Sequence, residues 1–121
     1  MKFLKLKTSY SIGQSAEKKA IKFLNKANWQ ILEHNFKTAL GEIDIIASKN
    51  NVLVAFEVKC RNDAHTLPHC ISVKQQLRIE QALLLYLQRN PQFANYNIRF
   101  DAILIYHNSM QHIESAWLAK E

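Results

Sequence analysis

The chain of 121 residues contains only two glycines and two prolines. With so few glycines it has no glycine-rich loop of the kind that cradles phosphates in nucleotide-binding folds. It also has only two cysteines, Cys60 and Cys70, which are too few for a disulfide framework and favour a reducing compartment. These scarcities argue against a nucleotide-binding fold and against a disulfide-stabilised secreted domain.

Long hydrophobic runs are also missing, because no stretch of about 18 apolar residues occurs and no membrane span is therefore predicted. Residues 1–10 alternate lysine with apolar residues and lack the continuous apolar stretch of a secretory signal. We therefore expect a cytoplasmic protein that has no membrane partner.

What the chain does have is an ordinary apolar content of 48% and an excess of basic side chains. The chain has sixteen Lys and Arg residues and ten Asp and Glu residues, which gives a net charge of +6. A basic domain suits a nucleic-acid partner because contacts with phosphates release bound counterions. Charge kept for solubility is the alternative, and the net charge alone leaves both open.

The periodicity predicts a basic arm over residues 1–10 and a single domain over residues 11–121. Ser11 is the expected cap of a first helix, with Gln14 three residues later. The further elements are a strand over 29–36, a hairpin over 41–61, a wide-faced apolar helix over 73–90, a strand over 97–106 and a last strand or helical turn over 111–118. This order predicts an α/β or α+β fold with a mixed sheet and helices packed against it.

The hairpin, Gly41 to Arg61, carries charges inside two otherwise apolar strands. Strict alternation would place Asp44 with Glu42 and Ile46 on one face of the first strand. In the second strand, Glu57 and Lys59 share a face with Leu53 and Ala55, opposite the even-numbered residues 52–58. Buried charges are costly unless they are paired or bind a metal.

Asp44 and Glu57, presented by adjacent strands, form a candidate site for Mg²⁺ or Mn²⁺, which prefer oxygen ligands. The carbonyl of Val58 is a further oxygen donor, and the Lys59 ammonium can contact a water or a phosphate oxygen. Such a set suits phosphodiester hydrolysis. An Asp44–Lys59–Glu57 salt-bridge network on a half-exposed sheet is the structural alternative.

Motifs along most of the chain resemble the YraN family of small bacterial proteins, within the restriction-endonuclease-like (PD-(D/E)xK) superfamily. The resemblance covers about residues 12–117, and its layout is similar to that of the archaeal Holliday-junction resolvases. The matching positions are Gly13, Ala16-Glu17, Ala20, Phe23-Leu24, Asn35-Phe36, Gly41 to Ile46, Phe56 to Arg61, Lys74, Ala82, Tyr86-Leu87, Arg99 to Asp101 and His112 to Trp117.

The resemblance implies an α/β, restriction-endonuclease-like mixed central sheet flanked by helices. It assigns catalytic positions to Glu17, Asp44, Glu57 and Lys59. Together with the Val58 carbonyl inferred from the strand, the expected metal ligands are Glu17, Asp44, Glu57 and Val58, with Mg²⁺ or Mn²⁺ as the ion. Without the resemblance, Glu17 reads as a solvated residue beside an apolar stripe that pairs with a lysine.

Two further basic residues are expected to contact nucleic acid. Lys74 begins the second helix, where free N–H groups favour a phosphate, and Arg61 follows the E-x-K strand. A solvated Lys74 and an Arg61–Asp63 pair are the structural alternatives, and Arg99 is expected to pair with Asp101.

The loop after Arg61 departs from the family, because residues 64–70 lack the usual glycine and contain His65, Pro68 and His69. Cys60, His65, His69 and Cys70 are a zinc set by residue type alone, with unsuitable spacing. Cys60 is expected to turn into the core as a small apolar residue.

The favoured function is a divalent-metal-dependent nuclease acting on structured or branched DNA. The alternative is a nucleic-acid-binding module that keeps the nuclease fold with weak or no catalysis, and a third is an interaction protein with a basic docking face. A homodimer is expected if the substrate is a junction, because cutting it takes two active sites.

Overall fold

Seven regular elements appear in the computed structural model, which describes residues 9–61, 71–107 and 109–120. A short 3₁₀ turn at Pro91–Phe93 precedes the fourth strand. The elements are α1 (Ser9–Lys26), β1 (Gln30–Lys37), β2 (Glu42–Lys49), β3 (Val52–Arg61), α2 (Val73–Arg89), β4 (Asn97–Tyr106) and β5 (Ser109–Trp117). Helix α1 begins at Ser9, so Ser11 lies inside it and the predicted cap at Ser11 is wrong. Residues 1–8 of the predicted arm lie outside the described residues.

The five strands form one mixed sheet in the order β1-β2-β3-β4-β5. Strands β3 and β4 are parallel, and the other neighbouring pairs are antiparallel. A parallel pair needs a crossover connection, and α2 lies within the one that joins β3 to β4. The α/β fold with a mixed sheet flanked by helices confirms the predicted fold class.

Apolar side chains are buried on both faces of the sheet, and each face is covered by one helix. Within β3, Val54 and Phe56 pack on the α1 side and Leu53 and Ala55 on the α2 side, as the alternation predicts. The α1 layer also includes Ala16, Ala20, Leu24, Trp29, Ile45, Ala47, Ile103 and Ile105. The α2 layer also includes Ile43, Ile46, Ile79, Ala82, Leu83, Tyr86, Phe93, Phe100, Ala102, Leu104 and Trp117.

Helix α2 starts as the sequence predicts, because the Ser72 side chain accepts a hydrogen bond from the backbone N–H of Gln75 at 3.1 Å. Its buried face is narrower than predicted, since Val73, Leu77 and Leu84 are exposed. The buried positions are Ile79, Ala82, Leu83 and Tyr86. Neither described helix combines the length and the apolarity that a bilayer crossing requires.

Gly41 fixes where β2 approaches α2. A Cβ atom at this position would overlap the backbone carbonyl oxygen of Arg78 and lie only 2.8 Å from its carbonyl carbon, a clash that only a shift of the backbone could relieve. Glycine therefore allows the start of β2 to pack directly against the helix, and this contact sets the position of Asp44 three residues later.

The alternation predicted for β2 fails at Asp44. Ile43 belongs to the α2 layer, yet Ile45 belongs to the α1 layer, so the strand turns over between them. Pairing with β3 starts only at Ile45 opposite Phe56 and runs from there toward the hairpin turn. Asp44 is thus the residue at which β2 separates from β3, beside the segment that contains Glu57.

Candidate active site

Asp44 and Glu57 meet where β2 and β3 separate. Asp44 Oδ2 accepts a hydrogen bond from the backbone N–H of Val58 at 2.8 Å, which ties the carboxylate to β3. The Glu57 carboxyl lies within hydrogen-bonding range of the Asp44 carboxyl. Glu57 itself is buried, with 6% of its surface exposed. The β2–β3 register, continued by one residue past the Ile45–Phe56 pair, places Asp44 opposite Glu57, so the two acidic groups lie together at the point where the strands separate.

The surroundings of Glu57 disfavour its charge. Burial is the main cause, and the negative charge of Asp44, a hydrogen bond to Asp44 and the charge of Glu17 act in the same direction. Lys59 opposes them, but the balance still raises the pKa of Glu57 from 4.5 to about 9. In the protein alone, this carboxyl is therefore protonated at neutral pH.

Lys59 provides the positive charge of the site. Its Nζ lies 3.9 Å from Glu57 Oε1, and a quarter of its side chain is exposed. This distance is at the outer limit of an ion pair, so the ammonium is not fully engaged by the carboxyl. Lys59 can therefore contact a ligand that enters from solvent while remaining beside Glu57.

Glu17 approaches the same two acids from α1. Burial raises the pKa of the Glu17 carboxyl, the hydrogen bond from His34 lowers it, and the charge of Asp44 raises it again, with a net increase. His34 Nε2 lies 3.0 Å from Glu17 Oε2. With its amide oriented so that Nδ2 faces Glu17, Asn35 donates to Oε1 at 3.0 Å and to Oε2 at 3.2 Å.

His34 and Asn35 were missed by the sequence reasoning as partners of an acidic group. Asn35 has a left-handed backbone, with φ at 53°, a conformation that asparagine tolerates better than most residues. Its place in β1 falls between the pairs His34–Ile45 and Phe36–Ile43, opposite Asp44. The irregular backbone lets two consecutive side chains reach Glu17. The alternating pattern of a strand does not predict this, because it places consecutive side chains on opposite faces.

The donors at this position fit a hard divalent cation. Two neighbouring carboxyl groups are both oxygen donors, and a bound cation would offset the repulsion that arises when both are ionised. The carbonyl of Val58 points to the same side of β3 as its N–H, and that N–H is bonded to Asp44. Among the described residues, no three His, Cys, Asp or Glu side chains are already grouped around one ion position. Mg²⁺ is commonly held by one or two carboxylates and otherwise by water, so two carboxylates and a carbonyl suffice.

Of the predicted nucleic-acid contacts, Lys74 is exposed beside a cleft of about 320 Å³ that is lined also by Glu42, Ser72 and Arg78. The side chain of Arg61 lies outside the part of the chain whose side chains are described, and so does residue 63, its alternative partner.

The zinc hypothesis depends on residues 65, 69 and 70, which also lie outside the described residues. Cys60 is exposed at the end of β3, so its predicted place in the core is wrong. Its strand has already left the apolar layers by this point.

A second acidic group, Asp101, is fully buried on the α1 side of β4. Arg99 donates to it through Nε at 2.9 Å and Nη2 at 2.8 Å, which confirms the predicted pair. His112 Nε2 lies 2.7 Å away, and the backbone N–H of Ser115 donates at 3.0 Å. Burial alone would raise the pKa of Asp101, but the hydrogen bonds from His112, Arg99 and Ser115 hold it below its usual value. This carboxylate is therefore stably ionised.

Comparison with known proteins gives consistent results over most of the chain. The sequence profile of Uncharacterised protein family UPF0102 matches residues 16–105. A UPF0102 protein of Rhodopseudomonas palustris is 36% identical over 110 residues, which cover 90% of this chain and 85% of that protein. A UPF0102 protein of Francisella tularensis subsp. novicida is 38% identical over 109 residues, covering 88% and 93% of the two chains.

Among solved structures, the chain is similar to Hjc of Archaeoglobus fulgidus, a Holliday junction resolvase from an archaeal hyperthermophile. The TM-score is 0.54 at 16% identity, and the match covers 89% of this chain and 81% of that one. At this identity the similarity establishes a shared nuclease-like fold and leaves the chemistry to be argued from the residues.

Proposed function

This chain belongs to Uncharacterised protein family UPF0102, and we propose that it is a divalent-metal-dependent phosphodiesterase that acts on structured or branched DNA. The observation that supports the proposal most directly is the contact between Asp44 and the buried Glu57, with Lys59 Nζ 3.9 Å from Glu57. A carboxyl pair whose full ionisation is disfavoured without a cation, beside an ammonium open to solvent, suits the hydrolysis of an anionic ester.

Each residue has a distinct role in the proposal. Asp44, Glu57 and the carbonyl of Val58 would hold Mg²⁺ or Mn²⁺, which would supply Lewis-acid polarisation of a phosphate oxygen. Lys59 orients the attacking water through its ammonium. Glu17, restrained by hydrogen bonds on its far side, accepts a hydrogen bond from a water or assists with a second ion.

The substrate assignment rests on charge and on the fold. The net charge of +6 favours a polyanion, and the fold is shared with a protein that is a Holliday junction resolvase. A junction has two strands to cut, so the proposal includes a homodimer on the substrate. Sedimentation of the protein with and without a four-way junction measures this directly.

The test is a cleavage screen over duplex, flap, four-way-junction and single-stranded DNA with Mg²⁺ or Mn²⁺. Asp44→Asn should lower the rate at least about 100-fold, because several kcal/mol of transition-state charge stabilisation would be lost. Glu114→Gln, which removes an exposed carboxylate from β5, is the matched control and should cleave like the wild type.

Two outcomes would contradict the proposal. An Asp44→Asn protein that cleaves as fast as the wild type excludes the role of this carboxylate. Binding of branched DNA without product under any metal condition would favour the alternative, a nucleic-acid-binding module that keeps the nuclease fold.

A further inference from the structure

The outward face of α1 carries a continuous row of ammonium groups. At 100° per residue, the basic side chains of its second half fall within an arc of about 100°, and all are exposed. These residues, the lysine face, are Lys18, Lys19, Lys22 and Lys26. Lys18 follows Glu17 in the chain and points about 100° away from it around the helix, and the row runs from Lys18 along the helix axis for about 12 Å.

The fold alone gives no reason for this row. Lys18 and Lys22 are one turn apart, as are Lys22 and Lys26, and like charges at this spacing destabilise a helix. Among the described residues, no carboxylate lies within ion-pair distance of the lysine face. The repulsion is thus unrelieved within the described part of the chain, and an anionic ligand would relieve it.

A membrane surface is a poor candidate for that ligand. Helices that lie in a bilayer interface bury their apolar face in lipid. Within α1, Ala20 and Leu24 are instead fully buried against the sheet, and Ile21 and Phe23 are partly buried against it. The lysine face is open to solvent, which suits a polyanion that is bound from outside.

We propose that the lysine face binds the phosphate backbone of a nucleic acid and guides the strand toward Asp44 and Glu57. Successive turns place ammonium groups about 6 Å apart, and the row spans the axial length of roughly three to four nucleotides of a duplex strand. The contacts reach phosphates only, so binding is independent of sequence. The placement of this track rests on the proposed function, whereas the binding itself does not require catalysis.

Binding of labelled duplex and four-way-junction DNA is measured in EDTA over a series of salt concentrations. Lys22→Gln should bind more weakly, and its slope of log K against log salt should be shallower than that of the wild type by about 0.9, the value for one lost phosphate contact. The Lys18→Gln/Lys22→Gln double variant should lose about 1.8.

The matched control is Arg89→Gln, which removes one positive charge from an exposed position at the end of α2, across the sheet. Its slope should equal that of the wild type. Glutamine is nearly as good a helix former as lysine and arginine, and circular dichroism checks that all the variants fold.

The inference fails if Lys22→Gln and Arg89→Gln change the slope equally, because net charge would then explain the binding. It also fails if polyglutamate competes as well as DNA at equal charge, which would indicate an acidic protein or an unselective polyanion site. Weakened DNA binding by the lysine variants without cleavage by the wild type would support the track and reject the phosphodiesterase. Cleavage with an unchanged slope would do the reverse.

Discussion

Two buried carboxyl groups on neighbouring strands have opposite electrostatic surroundings. Asp101 on β4 is fully buried, and Glu57 on β3 is 6% exposed. The pKa of Asp101 is lowered, whereas the pKa of Glu57 is raised to about 9. Burial acts in the same direction on both groups, so the difference comes from their partners.

The partners of Asp101 all stabilise its negative charge. A guanidinium, an imidazole and a backbone N–H converge on its two oxygens at 2.7 to 3.0 Å. Glu57 has mainly other carboxyl groups beside it, with one ammonium at 3.9 Å. A completed set of donors is typical of a structural carboxylate, and a set of acids that repel one another is typical of a site that binds a cation.

The first way to test this comparison is to remove the structural carboxylate. Asp101→Ala should lower the free energy of unfolding by about 3–5 kcal/mol, because Arg99 and His112 would be left around a buried position without their common partner. Urea denaturation followed by circular dichroism measures the loss. Glu114→Ala is the control, since it removes an exposed carboxylate 3.7 Å from the same Arg99 and should cost less than about 1 kcal/mol. Equal losses would mean that burial does not distinguish the two partners.

The second test uses the pH dependence of Glu57. Its folded-state pKa lies above its ordinary value of 4.5, so the stability it contributes is complete below pH 4.5 and is lost as the pH rises toward about 9. Within this window, the difference in unfolding free energy between wild type and Glu57→Gln should change by up to about 1.4 kcal/mol per pH unit, in favour of the variant at high pH. Denaturation at a series of pH values measures it, and a constant difference would contradict the raised pKa.

For Asp101 we expect the opposite dependence of folding stability on pH, and we expect it at acid pH. Its folded-state pKa lies below 3.8, so its contribution is present above pH 3.8 and is lost as the pH falls through the folded-state value.

At pH 8, Mn²⁺ should also stabilise the wild type and have little effect on Glu57→Gln, because a ligand stabilises only the state that binds it.

The sequence was sufficient for the regular parts of the fold. The order of helices and strands, the hairpin turn, the Ser72 cap and the pair between Arg99 and Asp101 all follow from short-range patterns and are confirmed. Alternation also predicted the two faces of β3 correctly, because that strand is regular between Leu53 and Phe56.

The irregular stretches of the backbone could not be predicted from the sequence. Strict alternation fails in β2 at Asp44, and a register shift between Phe100 and Ala102 accompanies the left-handed Ser115 in β5. Two residues with left-handed backbone direct a polar group to an acid: the Ser115 N–H donates to Asp101, and the Asn35 amide donates to Glu17. Long-range contacts decide these positions, and a pattern of period two carries no information about them.

Asn35 therefore offers the smallest and most selective test, because its backbone and its side chain can be changed separately. Asn35→Ala should cost about 2 kcal/mol, of which about 1 kcal/mol is the strain of alanine at a positive φ and the rest is the lost hydrogen bond to Glu17. Asn35→Gly tolerates the backbone and should cost mainly the hydrogen bond, about 1 kcal/mol. Repeating both changes in a Glu17→Ala background measures the coupling by chemical denaturation, and the hydrogen-bond part should vanish there while the strain remains. If the loss were the same in both backgrounds, Asn35 would not hold Glu17, and Glu17 would have no donor set comparable to that of Asp101 beyond its contact with His34.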